Sequence, residues 1–431
     1  MAIPLQINKR IIPLLLLALL PSVSLAYTDA EIDQMFKALQ AENDALKEEI
    51  KQLKQESEAT IQEQLVPARQ NNQTQISSVK RSLEKQQSAL KINGFLTAGA
   101  SKADPAVYDQ NIDISDDITF DTDTIVGLQT SFQLSPKSDV TVQMVARAAD
   151  NWELEAEWAF LRYNLTDDLS FRAGRLRLPL YLFSESLDVG FSYPWVRPPN
   201  EVYALPIKNY EGIDLLYTAS TGDWIHQLQV FAGNDNDDNF DTSNFFGGNI
   251  TSSSGPWTYR ISAFKFDIEF SKFAGFEPTE NIEDGGTYYT LAGMYDDGNW
   301  LAITEISTYK TDQTTVFRDT DSGYVTLGKH MGKFMPHFTY GKSYTTNEPK
   351  DDPVDILLGQ FINFTGTSYA AGLRYNLTEN TSAKLEWTHY TDMDGTGGIW
   401  NGLRFDELNG SSGPEDIDNI DIYSIVLDVV F

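Results

Sequence analysis

The chain contains no cysteine, which excludes disulfides and thiolate metal sites together. It also lacks any uninterrupted apolar stretch of the ~20 residues that a membrane-spanning helix requires. Basic residues are scarce: 32 Lys and Arg stand against 62 Asp and Glu, for a formal net charge of -30. That balance argues against a nucleic-acid partner, because phosphates need Lys and Arg to displace their counterions. The histidines His226, His330, His337 and His389 are scattered, with no H-E-x-x-H or similar ligand spacing, so neither a metal nor another cofactor is expected. No G-x-S-x-G elbow marks a local nucleophile.

The longest apolar run, Ile11 to Leu20, is too short to span a bilayer and is interrupted by Pro13. It follows the positive pair Lys9 and Arg10 and precedes Ser24-Leu25-Ala26, a small-x-small site. Residues 1–26 therefore read as a signal peptide, cleaved after Ala26. Beyond it the chain is either soluble or enters a membrane as strands. Low mean hydropathy does not oppose strands, since only every second residue of a barrel strand faces lipid.

After the cleavage site, Thr28-x-x-Glu31 has the form of a capping box, which satisfies orphan backbone donors at a helix start. From there Ile32, Leu39, Leu46 and Leu53 recur every seven residues, and Phe36, Asn43, Ile50 and Ser57 hold the second seam position. Glu42 and Glu49 then fall at g, and Lys47 and Lys54 fall at e, where a parallel neighbour would meet them. Residues 27–66 are expected to form a coiled coil; the other reading is an amphipathic helix packed on a domain. Asn43 at a seam position would set register, and the heptads alone leave dimer and trimer open. Pro67 ends or kinks the helix, and residues 67–90 read as a linker with a weak helical stripe.

From Lys91 the apolar period changes to two and stays there until the last residue. Tyr423, Ile425, Leu427, Val429 and Phe431 share one face of the final segment, with Ser424 and Asp428 on the other. A soluble edge strand rarely ends so hydrophobically; a lipid-facing last strand does. Tight polar turns (Ser135 to Asp139, Leu165 to Asp168, Ser220 to Asp223, Asp296 to Asn299, Met331 to Phe334, Thr378 to Thr381) alternate with long acidic loops. That asymmetry is the one between periplasmic turns and outer loops. Leu-Arg-Tyr-Asn-Leu-Thr occurs twice, at 161–166 and 373–378, each time where a strand enters a turn, and reads as repeated turn chemistry. With both ends on one side the strand number is even, and the count is about 16 antiparallel strands over 91–431. Within 234–286 the run Phe264 to Phe270 is a clear strand, whereas its partner near Phe240 to Ile250 is weak and is required by parity.

Candidate functional residues follow from facing. Glu153, Glu155 and Glu157 alternate with Trp152, Leu154, Ala156 and Trp158, and the glutamates should face the lumen, because charge at lipid depth is costly. On the next strand Arg175 and Arg177 should likewise point inward, with Arg172 on the opposite face near the short-turn rim. Acidic and basic rows on neighbouring strands either bias permeating ions or bridge one another. From Pro179 to about Lys208 strand period is lost, and prolines and aromatics accumulate. This segment is expected to fold into the lumen, with Arg197 and Glu201 as constriction charges; the other reading has it latch onto a neighbouring subunit. Acidic stretches such as Asp235 to Asp241 and Glu415 to Asp421 read as solvated outer loops that divalent ions could bridge to lipopolysaccharide phosphates.

The order of signal peptide, helical seam, sixteen-strand barrel and terminal Phe resembles the trimeric outer-membrane porins with an N-terminal periplasmic coiled coil, the DcaP-like dicarboxylate-uptake group, and more distantly the phosphate-selective porins. Phe171 to Pro179 (FRAGRLRLP) is similar to the fifth-strand pattern of that group, and Ser192 to Pro199 (SYPWVRPP) resembles the following loop of related marine porins. The alternating C-terminal segment resembles the signal by which barrel-assembly machinery recognises its clients. The resemblance implies a trimer in the Gram-negative outer membrane, without specifying phosphate or dicarboxylate as the solute. The function expected is passive, charge-biased diffusion of small hydrophilic solutes or ions. The other classes are a structural tether acting through the coiled coil, whose ~1.5 Å rise per residue gives it a long reach, and a barrel-embedded hydrolase.

Overall fold

In a computed structural model the chain divides into two units, Met1–Lys85 and Gln86–Phe431. The structure describes residues 29–64, 89–108, 113–205, 207–235, 240–270, 282–312, 318–346, 363–393, 398–400 and 417–431. The expected signal segment 1–26, Thr28, most of the linker, and parts of both acidic loops lie outside them, as do the side chains of Ile32, Phe36 and Leu39.

Among its described residues the first unit forms a helix, α1 (Asp29–Gln64), of 36 residues. Its described seam residues Leu46, Ile50 and Leu53 are 52%, 61% and 59% exposed, and Asn43 is exposed with them. The i,i+3 pairs Lys47–Asp44 and Lys51–Glu48 lie on its surface, and such pairs contribute little.

The second unit is a closed barrel of sixteen antiparallel strands, each hydrogen-bonded to its sequence neighbours. In chain order they are β1 (Leu90–Asp104), β2 (Ile125–Ser135), β3 (Ser138–Arg147), β4 (Leu154–Asn164), β5 (Leu169–Arg177), β6 (Asn209–Thr221), β7 (Trp224–Asn234), β8 (Phe240–Ser254), β9 (Trp257–Phe270), β10 (Ile282–Asp296), β11 (Trp300–Thr311), β12 (Thr320–Lys329), β13 (Phe334–Thr345), β14 (Gly366–Asn376), β15 (Thr381–Thr391) and β16 (Ile420–Val430). The weak partner demanded by parity is β8, and it pairs along its length with β9, from Phe240–Phe270 to Ser254–Trp257. The hairpin between them is the two-residue turn Gly255-Pro256, absent from the turn set read from sequence. It works because Gly255 takes φ +53, a region open to glycine.

Closure leaves no free strand edge, the condition for β-structure in lipid. β1 and β16 pair from Phe95–Val430 to Asp104–Asp421. The seam ends in a reciprocal exchange, Gly94 N to Phe431 O at 2.8 Å and Phe431 N to Gly94 O at 2.9 Å. On β16, Tyr423, Ile425, Leu427 and Phe431 are exposed and Val429 half-buried, while Ser424, Val426 and Asp428 are buried. That is the alternation expected of the last strand. Aromatics at the short-turn end, including Tyr217, Trp257, Trp300 and Phe334, are exposed on the outside, where amphipathic rings suit a membrane interface.

The Phe431 ring lies over Gly94 so closely that a Cβ there would come within 2.3 Å of it. Gly94→Val should therefore sharply lower the fraction of compact, heat-modifiable barrel on refolding into detergent. Phe431→Ala in the same chain should restore part of it, because the clashing ring is gone. A Gly94→Val barrel that refolds as well as wild type would refute this seam packing.

Candidate functional site: the lumen and its inward loop

The connection from β5 to β6 turns inward and crosses the barrel interior, as its aromatics and prolines suggested. Leu178, Leu180, Tyr181, Tyr193, Trp195, Val202 and Ile207 pack in one buried cluster with wall residues that include Tyr210, Phe231, Phe264, Phe266, Tyr288 and Tyr324. β9 shows the consequence: Phe264, Phe266 and Ile268 are the buried face, and Lys265, Asp267 and Glu269 share the other. Apolar residues turn inward there because the loop, not water, meets them.

Hydrogen bonds and ion pairs then fasten the loop around the wall. Pro179 O accepts from Arg260 at 2.9 Å, and Leu180 O accepts from Ser262 at 2.7 Å and Thr290 at 2.9 Å. Glu305, fully buried on β11, accepts from Leu182 N at 2.9 Å, Tyr324 OH at 2.6 Å, and the Tyr203 hydroxyl. Trp195 Nε1 donates to Thr326 and Thr339 at 3.0 and 2.9 Å. Lys384 on β15 donates to Gly190 O and Trp195 O at 2.6 and 2.7 Å and pairs with Asp428 at 3.0 Å. Arg374 on β14 donates to Phe191 O at 2.8 Å and lies over that ring. Each bond is strong in a low-dielectric interior and costly to leave unmade.

Two latches use charge on both sides. Asp188 in the loop meets Arg147 of β3 at 2.9 Å and Arg177 of β5, and both arginines also meet Glu157. Across the barrel Arg197 reaches Asp123 and Ser101, each at 2.6 Å, and Ser424 at 3.2 Å. Lys208, at the end of the loop, has its ammonium pushed below the ordinary lysine range, first by burial and then by Arg147 nearby.

The residues singled out from sequence fall into several places. Glu153 is exposed in the β3–β4 connection, and Glu155 is more than half exposed and pairs with Arg147 at 2.9 Å. Glu157 is buried in the first latch. The regular alternation expected there does not hold, because a bulge between the pairs Gln143–Trp158 and Met144–Ala156 turns Trp158 toward the interior cluster rather than outward with Leu154 and Ala156.

The expected facing of the β5 arginines is corrected more fully. Arg172, assigned to the outer rim, is buried against Asp214 at 2.5 Å, with the Phe160 ring 5.3 Å away. Asp214 also accepts from Gln229 at 2.7 Å. Arg175 and Arg177 do not line a pore as a row. The β4–β5 ladder stops at Ala159–Arg175, and beyond that point side chains hold the seam: Arg175 Nε donates to Ala156 O at 2.7 Å, and Arg177 donates to Glu157 at 2.5 Å. The bulge at Glu157 and the unusual backbone of Gly174, φ +134, break the period on which the expectation relied. Arg197 sits in the second latch and Glu201 is buried against β13.

Sequence reasoning passed over Arg147, Asp188, Asp123, Asp214, Glu305, Arg374 and Lys384. A signal existed for Lys384: Ser382, Lys384, Glu386 and Thr388 alternate with Ala383, Leu385 and Trp387, a polar face two residues apart. Asp123 and Asp188 lie in loops, where no period gives direction.

Removing Arg172 would strand the fully buried Asp214, and breaking such a pair costs roughly 3–5 kcal/mol. Arg172→Ala should lower the unfolding midpoint of the detergent-solubilised barrel far more than Arg162→Ala, whose half-buried guanidinium lies 5.8 Å from the Phe160 ring. Equal losses in urea titrations would show that the buried pair carries no special weight.

No family model matches the sequence, and no curated protein matches it. Solved structures do match in fold. OmpF of Salmonella typhi, in complex with daunomycin, is 12% identical over 79% of this chain and 97% of that one, with a TM-score of 0.52. The anion-selective porin of Comamonas acidovorans is 12% identical over 79% and 99%, with a TM-score of 0.51. The trimer form of OmpT, an outer membrane protein of Vibrio cholerae, is 11% identical over 79% and 99%, also at 0.51. At these identities the likeness shows the fold alone, a closed antiparallel barrel shared with these outer-membrane proteins.

Proposed function

We propose that the protein is an outer-membrane porin, a passive channel for small hydrophilic solutes or ions whose passage is narrowed by the loop between β5 and β6. The observation carrying this reading is the loop itself, fastened inside a closed barrel by Asp188 on one side and Arg197 on the other. No energy coupling, cofactor or covalent step is required. Among the interior charges named above, the cations are largely paired, whereas Glu153 is exposed in the β3–β4 connection and Asp150 and Glu155, though they meet Arg147, keep half or more of their side chains in water. Exposed acids raise the local cation concentration over about a Debye length, so the channel favours cations at low salt. Glu157, Arg177 and Arg197 act by holding the constriction, and Arg175 by closing the wall beside it; Glu201 belongs to the loop's footing.

The working form under this reading is a trimer. On the long-loop half of β1 to β4 the outward strand residues Ala98, Val126, Leu154 and Ala156 are small or aliphatic, with Lys102 among them and Phe120 and Trp152 exposed in the adjoining loops, whereas β13 to β16 present exposed Tyr344, Tyr369, Trp387 and Tyr423 within the strands. A wall stretch whose strands present small and aliphatic residues in place of aromatics suits another copy better than headgroups. The exposed Leu46, Ile50 and Leu53 stripe of α1 suits a parallel coiled coil in the periplasm. Lipopolysaccharide bridged by divalent ions at the acidic loops, and assembly machinery reading Tyr423 to Phe431, complete the partners expected of an exported outer-membrane barrel.

Planar-bilayer recording tests the channel. Openings should close in groups of three, the reversal potential in unequal salt should be cation-selective, and Glu153→Gln with Glu155→Gln should weaken that selectivity at low salt and leave it unchanged at ~1 M, where screening falls to ~3 Å. A barrel that never conducts would remove the porin reading and favour a tether or an enzyme. Asp188→Ala should raise single-channel conductance by freeing one side of the loop; unchanged conductance would place the constriction elsewhere. Ala98→Arg with Val126→Arg should yield monomers in size-exclusion light scattering, and persistent trimers would move the interface to another wall.

A further inference from the structure

Glu201 differs from the other interior carboxylates. Glu157, Asp123, Asp214 and Asp428 each face an arginine or lysine, and Glu305 accepts from two tyrosines and a backbone amide. Glu201 is 6% exposed, and neither of its carboxylate oxygens makes a hydrogen bond of normal geometry, the Ser368 hydroxyl being the polar group beside them. Among the described residues no cation lies within ion-pair distance of it. A buried carboxylate without a counter-charge is costly.

The place is nonetheless shaped for a carboxyl group. Glu201 belongs to the short helical turn Asn200–Tyr203 of the inward loop and lies over Gly341 of β13. A Cβ at Gly341 would come within 2.6 Å of the Glu201 carboxyl carbon. Beside it lies a cavity of about 40 Å³ whose walls include Glu201, Ser368, Thr339, Thr388, Glu386 and Tyr390. That volume holds a few water-sized particles, and cavities with polar walls do not remain dry. Arg197 Nε, on the same cavity, also lacks a partner, so the contents must offer an acceptor as well as neutralise an acid. Water beside a cation does both.

We propose that this cavity is a binding site for one small monovalent cation of the alkali class, held by the Glu201 carboxylate with hydroxyl oxygens of the wall and at least one water. The chemistry selects the class. Carboxylate and hydroxyl oxygens are hard donors. One uncompensated carboxylate requires one positive charge: Glu386 already accepts from Val196 N at 3.4 Å and has the charges of Arg197 and Lys384 nearby. Among the described residues no group of three or more acidic or histidine side chains gathers, as a site for a divalent ion would ordinarily have. Burial pushes the Glu201 carboxyl above its ordinary range, with the nearby Ser368 hydroxyl pulling it down, so the ionised form needs a counter-charge. The bound ion would seat the loop on β13, a role separate from conduction and from the proposed channel activity.

The test uses the full-length protein in detergent at matched ionic strength in sodium, potassium or N-methylglucamine chloride, the last cation being too large for the cavity. The thermal midpoint should be higher by about 2 °C or more in at least one alkali salt than in N-methylglucamine. Glu201→Gln, which keeps the shape and removes the charge, should abolish the difference. Wild-type crystals soaked in rubidium chloride should show an anomalous peak between Glu201 and Ser368. Equal midpoints in all three salts, a difference that survives Glu201→Gln, or an anomalous map without a peak in the cavity would overturn the proposal. A larger stabilisation by calcium that depends on Glu201 would overturn the monovalent assignment.

Discussion

A backbone in lipid has no water to bond with, so each N–H and C=O must find its partner within the protein. For a chain with no apolar run of spanning length, that constraint permits a closed barrel and little else. Closure depends on the chain's two barrel ends meeting in register, which they do through β1 and β16 and the reciprocal Gly94–Phe431 exchange. Glycine is needed at position 94 because the terminal ring lies on it. The wall's inner face then becomes a surface that the rest of the sequence must fill or leave wet.

How the β5–β6 loop fills that surface differs from side to side. Toward β7 to β12 it meets aromatic residues, and ring packing such as Tyr181–Tyr288 at 6.0 Å and Trp195–Tyr324 at 5.5 Å carries the contact. Toward β14 to β16, β1, β3 and β5 it meets charge, through Arg374, Lys384, Arg197 and Asp188. The first kind of contact is non-directional and supplies burial. The second is directional and sets where the loop lies. A constriction needs both, since a loop held by burial alone can slide and one held by ion pairs alone is exposed to water's competition.

The same division explains the correction at β4 and β5. Alternation assigns a face to each residue only while the ladder is regular, and a single extra residue reverses the assignment beyond it. The bulge at Glu157 and the early end of the β4–β5 ladder occur beside the latch that fastens the loop. Arg175 and Arg177 are therefore part of the wall's joinery, and Arg172, three residues earlier, is the one held inside.

Much of this architecture is local and was visible in the chain: the period of two from Lys91 to Phe431, the polar turns, the heptads from Ile32 to Leu53, and the proline- and aromatic-rich break after Pro179. Each depends on neighbours a few residues apart, so composition and spacing suffice. Even the faint strand β8 followed from parity, because a closed antiparallel barrel with both ends on one side has an even number of strands. Partnership across the lumen was decided only by the tertiary structure. Asp188 meets Arg147, Arg172 meets Asp214, and Glu201 comes to rest on Gly341 with no charged partner among the described residues, because barrel curvature and the path of one loop bring together residues that no sequence period relates.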